Sequence, residues 1–176
     1  MQTIKTESLT LEPQIAAHAE EMFIVLSDPA IYEFENAPPA SLEWLRNRFV
    51  RLESRGSADG SQTWLNWVVR LPSSELIGYV QATVYLPIDA TRRSDIAYEF
   101  HSAYWGQGFA RSAVDAMIVT LVSDYGVTEL TAILKAANFR SKKFLDRLGF
   151  RLASDERAAA LEIESDEILM ARDAVF

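Results

Sequence analysis

The stretch Tyr104-Trp105-Gly106-Gln107-Gly108-Phe109-Ala110-Arg111 governs how the rest of the chain is read. Residues 95–100 just before it read as a strand, and an amphipathic helix pattern follows it, so two glycines and an alanine stand at a strand-to-helix junction. A helix that starts there points its unpaired N–H groups and the positive end of its dipole into the loop. Glycine and alanine put no bulky side chain in front of those groups, so an anion such as a phosphate can reach them. On spacing alone, an anion site and a tight glycine-rich turn are equally good readings.

The helix after the turn carries Ala110, Ala113, Val114, Met117, Ile118, Leu121, Val122 and Tyr125 at spacings of three and four, with Gly126 to close it. Residues 127–134 read as a strand. Strand, helix and strand make a βαβ unit whose two strands run parallel with a right-handed crossover. A further helix begins at Asn138 as N-cap and ends near Leu148. Gly149 takes the left-handed terminus, and Phe150 folds back on Leu145. Tail strands are expected near residues 150–154 and 168–172, with residues 155–160 unassigned.

Upstream, Leu9 and Leu11 alternate with polar residues in a short strand ended by Pro13. Helical spacing covers residues 15–26, and Ser27-Asp28-Pro29 stops it. After a loop holding Glu33, Glu35 and Pro38-Pro39, Ser41 caps a helix with Leu42, Leu45, Phe49 and Leu52 on one face. Arg46, Arg48, Arg51 and Arg55 read mostly as its solvated side. Residues 64–71 and 76–86 form a hairpin around Pro72-Ser73-Ser74 and continue into strand 95–100 as an antiparallel meander. The expected fold is mixed α/β: one domain over residues 1–176, built on a mostly antiparallel sheet of about seven strands flanked by helices.

Composition narrows the function. With 49% hydrophobic and 24% charged residues, the chain is that of an ordinary globular protein. No apolar run is long enough to span a membrane, and the first residues lack the core of a secretory signal. The net charge of −8 speaks against nucleic acid as partner and for a cationic ligand. No cysteine is present, which excludes disulfides and thiolate metal sites and fits a cytoplasmic location. Only His18 and His101 are available for metals, without ligand spacing, so no metal cofactor is expected. A Gly-x-Ser-x-Gly elbow and a Gly-Lys-Ser/Thr phosphate loop are both absent. A dinucleotide fingerprint would need a third glycine where Arg111 stands.

Residues 95–150 resemble the acyl-coenzyme A core of the GNAT superfamily of N-acetyltransferases. Its Gln/Arg-x-x-Gly-x-Gly/Ala signature is matched by residues 105–110. Its Asn-x-x-Ser and Leu-Gly-Phe blocks are matched by Asn138, Ser141 and Leu148-Gly149-Phe150. Trp105 replaces the usual Gln/Arg, a form similar to the ribosomal-protein N-terminal acetyltransferase branch. The resemblance implies strands splayed at the acyl-CoA site and acetyl-CoA as cosubstrate. Backbone N–H groups of Gln107, Gly108, Phe109, Ala110 and Arg111 would hold the pyrophosphate, and Tyr98, Glu99 and Phe100 would lie along the pantetheine arm. An N–H near Phe100 would face the thioester oxyanion, with Asn138 and Ser141 completing the cofactor site.

It further implies direct transfer of acetyl to a primary amine of a small molecule or protein N-terminus. The tyrosine that many members place on the second helix is Leu145 here, and Ser141 stands in as a hydroxyl donor. Glu99 is the candidate base, while Glu33 and Glu35 in the loop are candidates for holding the acceptor. His101 is a weaker candidate, and Asn66, Tyr79 and Gln81 read first as structural residues. The tail strands offer an edge for a homodimer. A non-catalytic acyl-CoA-binding or regulatory domain stands as the alternative reading.

Overall fold

The computed structural model describes residues 1–34, 36–88 and 90–174. Eight strands form one sheet: β1 (Ile4–Lys5), β2 (Thr10–Pro13), β3 (Gln62–Arg70), β4 (Leu76–Tyr85), β5 (Arg93–Phe100), β6 (Glu129–Lys135), β7 (Arg151–Leu152) and β8 (Glu167–Asp173). Their spatial order is β1-β2-β3-β4-β5-β6-β8-β7. All neighbours are antiparallel except β5 and β6. Five α-helices accompany the sheet: α1 (Ala19–Leu26), α2 (Leu42–Leu52), α3 (Phe109–Tyr125), α4 (Phe139–Arg147) and α5 (Asp155–Ala160).

Three details correct the sequence expectation. Where about seven strands were expected the sheet has eight, the extra one being Ile4–Lys5, which pairs with Leu11 and Thr10 through a turn in which Thr6 Oγ1 accepts the Leu9 N–H. Two residues carry no periodicity, so only the pairing reveals them. Residues 155–160 are helical, with Ser154 Oγ accepting from the Arg157 N–H. The first helix begins at Ala19, after a 3-10 turn at Ala16–His18.

Strand alternation sends side chains to two layers. Leu65, Trp67, Val69, Val80, Ala82, Ile96 and Phe100 face α3 and α4, where Val114, Met117, Leu121, Leu145 and Phe150 close the main core. Truncating one of these, such as Leu121→Ala, costs about 2–5 kcal/mol. Val68 and Leu76 face the other way, with partly buried Tyr79 beside them, against Met22 and Val25 of α1 and Leu45 and Phe49 of α2. α4 ends as its sequence suggests: the Phe150 N–H donates to Leu145 O at 3.0 Å and the Gly149 N–H to Asp146 O at 3.1 Å.

What positions the site is the relation of β5 to β6. They pair in parallel only at Arg93–Glu129, Ser94–Leu130 and Asp95–Thr131, and then part. A side-chain network pins the last pair: Asp95 accepts from the Tyr85 hydroxyl at 2.6 Å and from Thr131 Oγ1. Beyond it β5 stays paired with β4 through Phe100, and β6 stays paired with β8 through Lys135. A wedge opens between them.

Candidate active site

The end of β5 fixes the geometry. The His101 N–H donates across the sheet to Ile77 O at 3.0 Å, so strand alternation turns the N–H groups of Tyr98 and Phe100 toward the wedge. β4 comes unusually close here. A Cβ on Gly78 would stand 2.3 Å from Glu99 O and 2.7 Å from the Phe100 ring, so only glycine fits. The Trp105 indole N–H donates to Phe100 O at 2.7 Å and ties the glycine-rich turn to the strand.

After that turn Gly108, whose φ of +86° is left-handed, is the N-cap of α3. The helix has no side-chain cap and no acidic residue in its first turn, so its leading N–H groups face the cleft with positive polarity. A cavity of about 440 Å³ lies in front of it. Its wall includes Gly106, Gly108, Ala110, Arg111, Arg140 and Arg147. Three arginines at one cavity, on a chain of net charge −8, suit a polyanion. Gln107 and Phe109 are not among its lining residues. The Gln107 amide turns back to Ala103 O at 2.8 Å, and the Phe109 ring packs toward Tyr104.

A second cavity of about 630 Å³ lies on the α1/α2 side of the sheet, floored by Asn66, Tyr79, Gln81 and Glu99. These are cross-strand neighbours: Asn66 pairs with Gln81, and Tyr79 with Glu99. Ile31, Tyr32, Asn36, Ala37 and Pro39 of the loop before α2 close one side. Trp44, Leu45, Arg48, Phe49 and Leu52 of α2 form another. Burial first, and then the charge of Glu99, push the Tyr79 phenol well above its usual pKa. The same two causes raise Tyr32. Both phenols therefore stay protonated and serve as donors. Ile31, Tyr98, Glu99, Asn138 and Ser141 line both cavities, so these five form the wall between them.

At that wall the Tyr98 hydroxyl and Ser141 Oγ are 2.8 Å apart. Asn138 Oδ1 caps α4 by accepting the Ser141 N–H at 3.0 Å, so the helix-cap role is filled and its amide nitrogen is the group left to reach a ligand. Glu99 projects to the face opposite Tyr98 and Phe100, as alternation requires. Glu33 does not line either cavity; its carboxylate accepts from Arg140 Nη2 at 2.6 Å. Glu35 lies outside the described residues. His101 caps a 3-10 turn through the Ala103 N–H and lies 3.6 Å from Asp28. Among the described residues no cluster of His, Asp and Glu could hold a metal.

Sequence reasoning placed Arg48 on the solvated face of α2, and it is exposed there, but it also borders the acceptor cavity, which was not foreseen. Only its position on the helix was legible: Arg48 stands four residues from both Trp44 and Leu52, on the edge of the stripe that lines the cavity. It also missed Tyr32, Arg140 and Arg147. Their places depend on contacts between distant elements.

A strand opening beside a single parallel pair, with a glycine-led helix aimed into the opening, is the architecture of an acyl-CoA N-acyltransferase. The sequence model of the acetyltransferase (GNAT) domain matches residues 8–151, and the chain belongs to this family of N-acetyltransferases. It is 28% identical over 157 residues to the uncharacterized N-acetyltransferase p20 of Bacillus licheniformis, covering 86% of this chain and 83% of that protein. Its fold is similar to that of the ribosomal-protein-S5-alanine acetyltransferase of Vibrio fischeri, with a TM-score of 0.77 at 17% identity over 99% of this chain and 97% of that one. It is also similar to that of RimL, a ribosomal L7/L12 alpha-N-protein acetyltransferase in complex with coenzyme A, with a TM-score of 0.77 at 17% identity over 98% of each chain. At those identities the likeness is one of fold. The chain is an enzyme, an acetyl-CoA-dependent N-acetyltransferase.

Proposed function

We propose that residues 1–176 act as one catalytic unit that passes acetyl from acetyl-CoA directly to a primary amine, on a small molecule or a protein N-terminus, held in the cavity beside α2. The observation that carries this reading is the common wall. Ile31, Tyr98, Glu99, Asn138 and Ser141 border both the arginine-lined cavity and the acceptor cavity, so a donor and an acceptor meet there.

Each residue then has a task. The leading N–H groups of α3, with Arg111, Arg140 and Arg147, hold the phosphates. The N–H groups of Tyr98 and Phe100 pair with the pantetheine arm as a strand would, and the Phe100 N–H donates to the carbonyl oxygen as it gains charge. Glu99 takes the proton that the acceptor ammonium gives up, directly or through water, and leaves a nucleophilic amine. The amine forms the new amide bond as the thioester carbon–sulfur bond breaks. The Tyr98–Ser141 hydroxyl pair donates to the departing thiolate, whose pKa of about 8.5 asks for little acid strength. No metal has a task in this chemistry.

A cytoplasmic location, where acetyl-CoA is supplied, belongs to the same proposal. So does a homodimer through β7, which lies at one edge of the sheet. No helix among the described residues is long and apolar enough to cross a membrane.

Thermal unfolding tests the donor half. At about 100 times its dissociation constant a ligand adds about 2.7 kcal/mol, a rise of roughly 5–10 °C for a domain of this size. Acetyl-CoA is expected to produce that rise and NAD to produce none. Equal behaviour of the two removes the reading.

A further inference from the structure

We propose that the acceptor is zwitterionic: one molecule carries the amine, held at Glu99, and an anionic group, carboxylate or phosphate, held at Arg48. This deepens the N-acetyltransferase reading and rests on it. Three observations carry it, and none depends on the donor side.

The first is the position of Arg48. Arg48 lines the acceptor cavity from α2, while Glu99 lines it from β5. Opposite charges on two walls of one cavity fit a ligand with opposite charges on its two ends. The second is what Arg48 lacks. On the same helix Arg46 pairs with Glu20 at 2.9 Å and lies outside the cavity, while of Arg48 and Arg51 only Arg48 lines it. Arg48 has no carboxylate partner among the described residues. Its contact is the face of Trp44, whose ring centroid is 5.7 Å from the guanidinium carbon. On a chain with 25 acidic residues against 17 basic ones, acids for pairing are plentiful. An arginine at a cavity wall, with its guanidinium over an indole rather than on a carboxylate, has a planar donor fork that an incoming anion can take.

The third observation is Asn66. The residue is 7% exposed and lines the same cavity, on the floor facing α1 and α2. Gln81, its cross-strand partner, is the next residue on that floor. Both amides donate and accept, so they suit the peptide or hydroxyl groups of a compact polar acceptor. Tyr79 and Tyr32, the latter with its hydroxyl donated to Leu26 O at 2.8 Å, complete the polar lining. A long cationic polyamine finds no second carboxylate among the described lining residues and meets the Arg48 charge instead.

The test is an acceptor panel matched in size: β-alanine and 2-aminoethyl phosphate as anion-bearing amines, ethanolamine as the neutral one, and 1,3-diaminopropane as the cationic one. Coenzyme A thiol release gives kcat and KM, and calorimetry with coenzyme A present gives binding without turnover. The anion-bearing amines are expected to lead by roughly tenfold in kcat/KM, carried by KM. Whichever of β-alanine and 2-aminoethyl phosphate leads identifies the anionic group. Arg48→Met should abolish that lead, and Arg46→Met, which alters a pair outside the cavity, should keep it. An equal or better rate with the neutral or cationic amine overturns the proposal, as does an Arg48→Met enzyme that retains the preference. If no amine is acetylated but calorimetry shows Arg48-dependent binding of an anion-bearing amine, the transfer reading fails while this one stands. If none of the anion-bearing amines binds or reacts, this proposal fails.

Discussion

The hydroxyls of Tyr98 and Ser141 stand 2.8 Å apart although 43 residues separate them in the chain. One comes from the end of β5, the other from the first turn of α4, and their bond spans the wedge where the sheet opens. The Tyr98 ring also meets Phe144 edge-on at 4.8 Å, which holds the phenol in place. A tyrosine hydroxyl is therefore present at the wedge although Leu145 occupies the helix position where one was sought. Removing either hydroxyl, as Tyr98→Phe or Ser141→Ala, is expected to lower kcat by about tenfold. Because the two act through one bond, the double variant should be little worse than either single one. A double variant whose loss is the product of the two shows that they act separately.

Gly78 sets how closely β4 supports the end of β5. A methyl group there collides with Glu99 O and the Phe100 ring, both at the reacting centre. Gly78→Ala is expected to cost about 1–3 kcal/mol of stability by overpacking. Its kcat should fall further than the lost stability explains, because Phe100 and Glu99 move. Comparing kcat at a temperature where the variant is fully folded checks this.

Arg147 lines the donor cavity and has no role in the acceptor cavity. Arg147→Ala should therefore weaken acetyl-CoA binding, by roughly tenfold at low salt, without changing the KM for amine. The difference from wild type should shrink as salt rises, since exposed charges are screened. Calorimetric titrations at two ionic strengths measure both effects.

Asp28 joins the loop before α2 to the end of β5. It accepts the Ser102 N–H at 2.7 Å and the Ala30 N–H at 3.0 Å. Desolvation on its own raises the carboxyl pKa, but these hydrogen bonds and the nearby His101 outweigh it and hold the group below its usual value. A carboxyl lowered in the folded state stabilises the protein above its unfolded pKa, and that stability is lost as pH falls through the folded value. The stability advantage of wild type over Asp28→Asn, about 1 kcal/mol, should thus be full near pH 6 and decline below about pH 4. An advantage that grows on acidification contradicts this assignment.

The parts of the fold legible in the sequence are those set by local chemistry. Helix α3 announces itself by apolar spacing, and α4 by Asn138 at one end and Gly149-Phe150 at the other. Two-residue strands have no period to read, so β1 escaped notice and β7 was drawn too long. In the site, Glu99 followed from alternation and the glycine turn from its composition. The place of Arg48 at the cavity did not, because an exposed arginine at the edge of an amphipathic face gives no sign of the cavity beside it. Glu33 was drawn to the acceptor because its loop is, but Arg140 holds it outside. The Tyr98–Ser141 bond joins elements whose approach no local pattern encodes.

The central claim is that the wall shared by the two cavities is where acetyl changes hands. The most direct measurement is coenzyme A thiol release from acetyl-CoA, with and without added amines, by wild type and Glu99→Gln side by side. The expected result is release that depends on amine and falls roughly 100-fold in kcat in the variant, with acetyl-CoA affinity retained. Amine-dependent release that Glu99→Gln leaves untouched, or no release with any amine at millimolar concentration, contradicts the account.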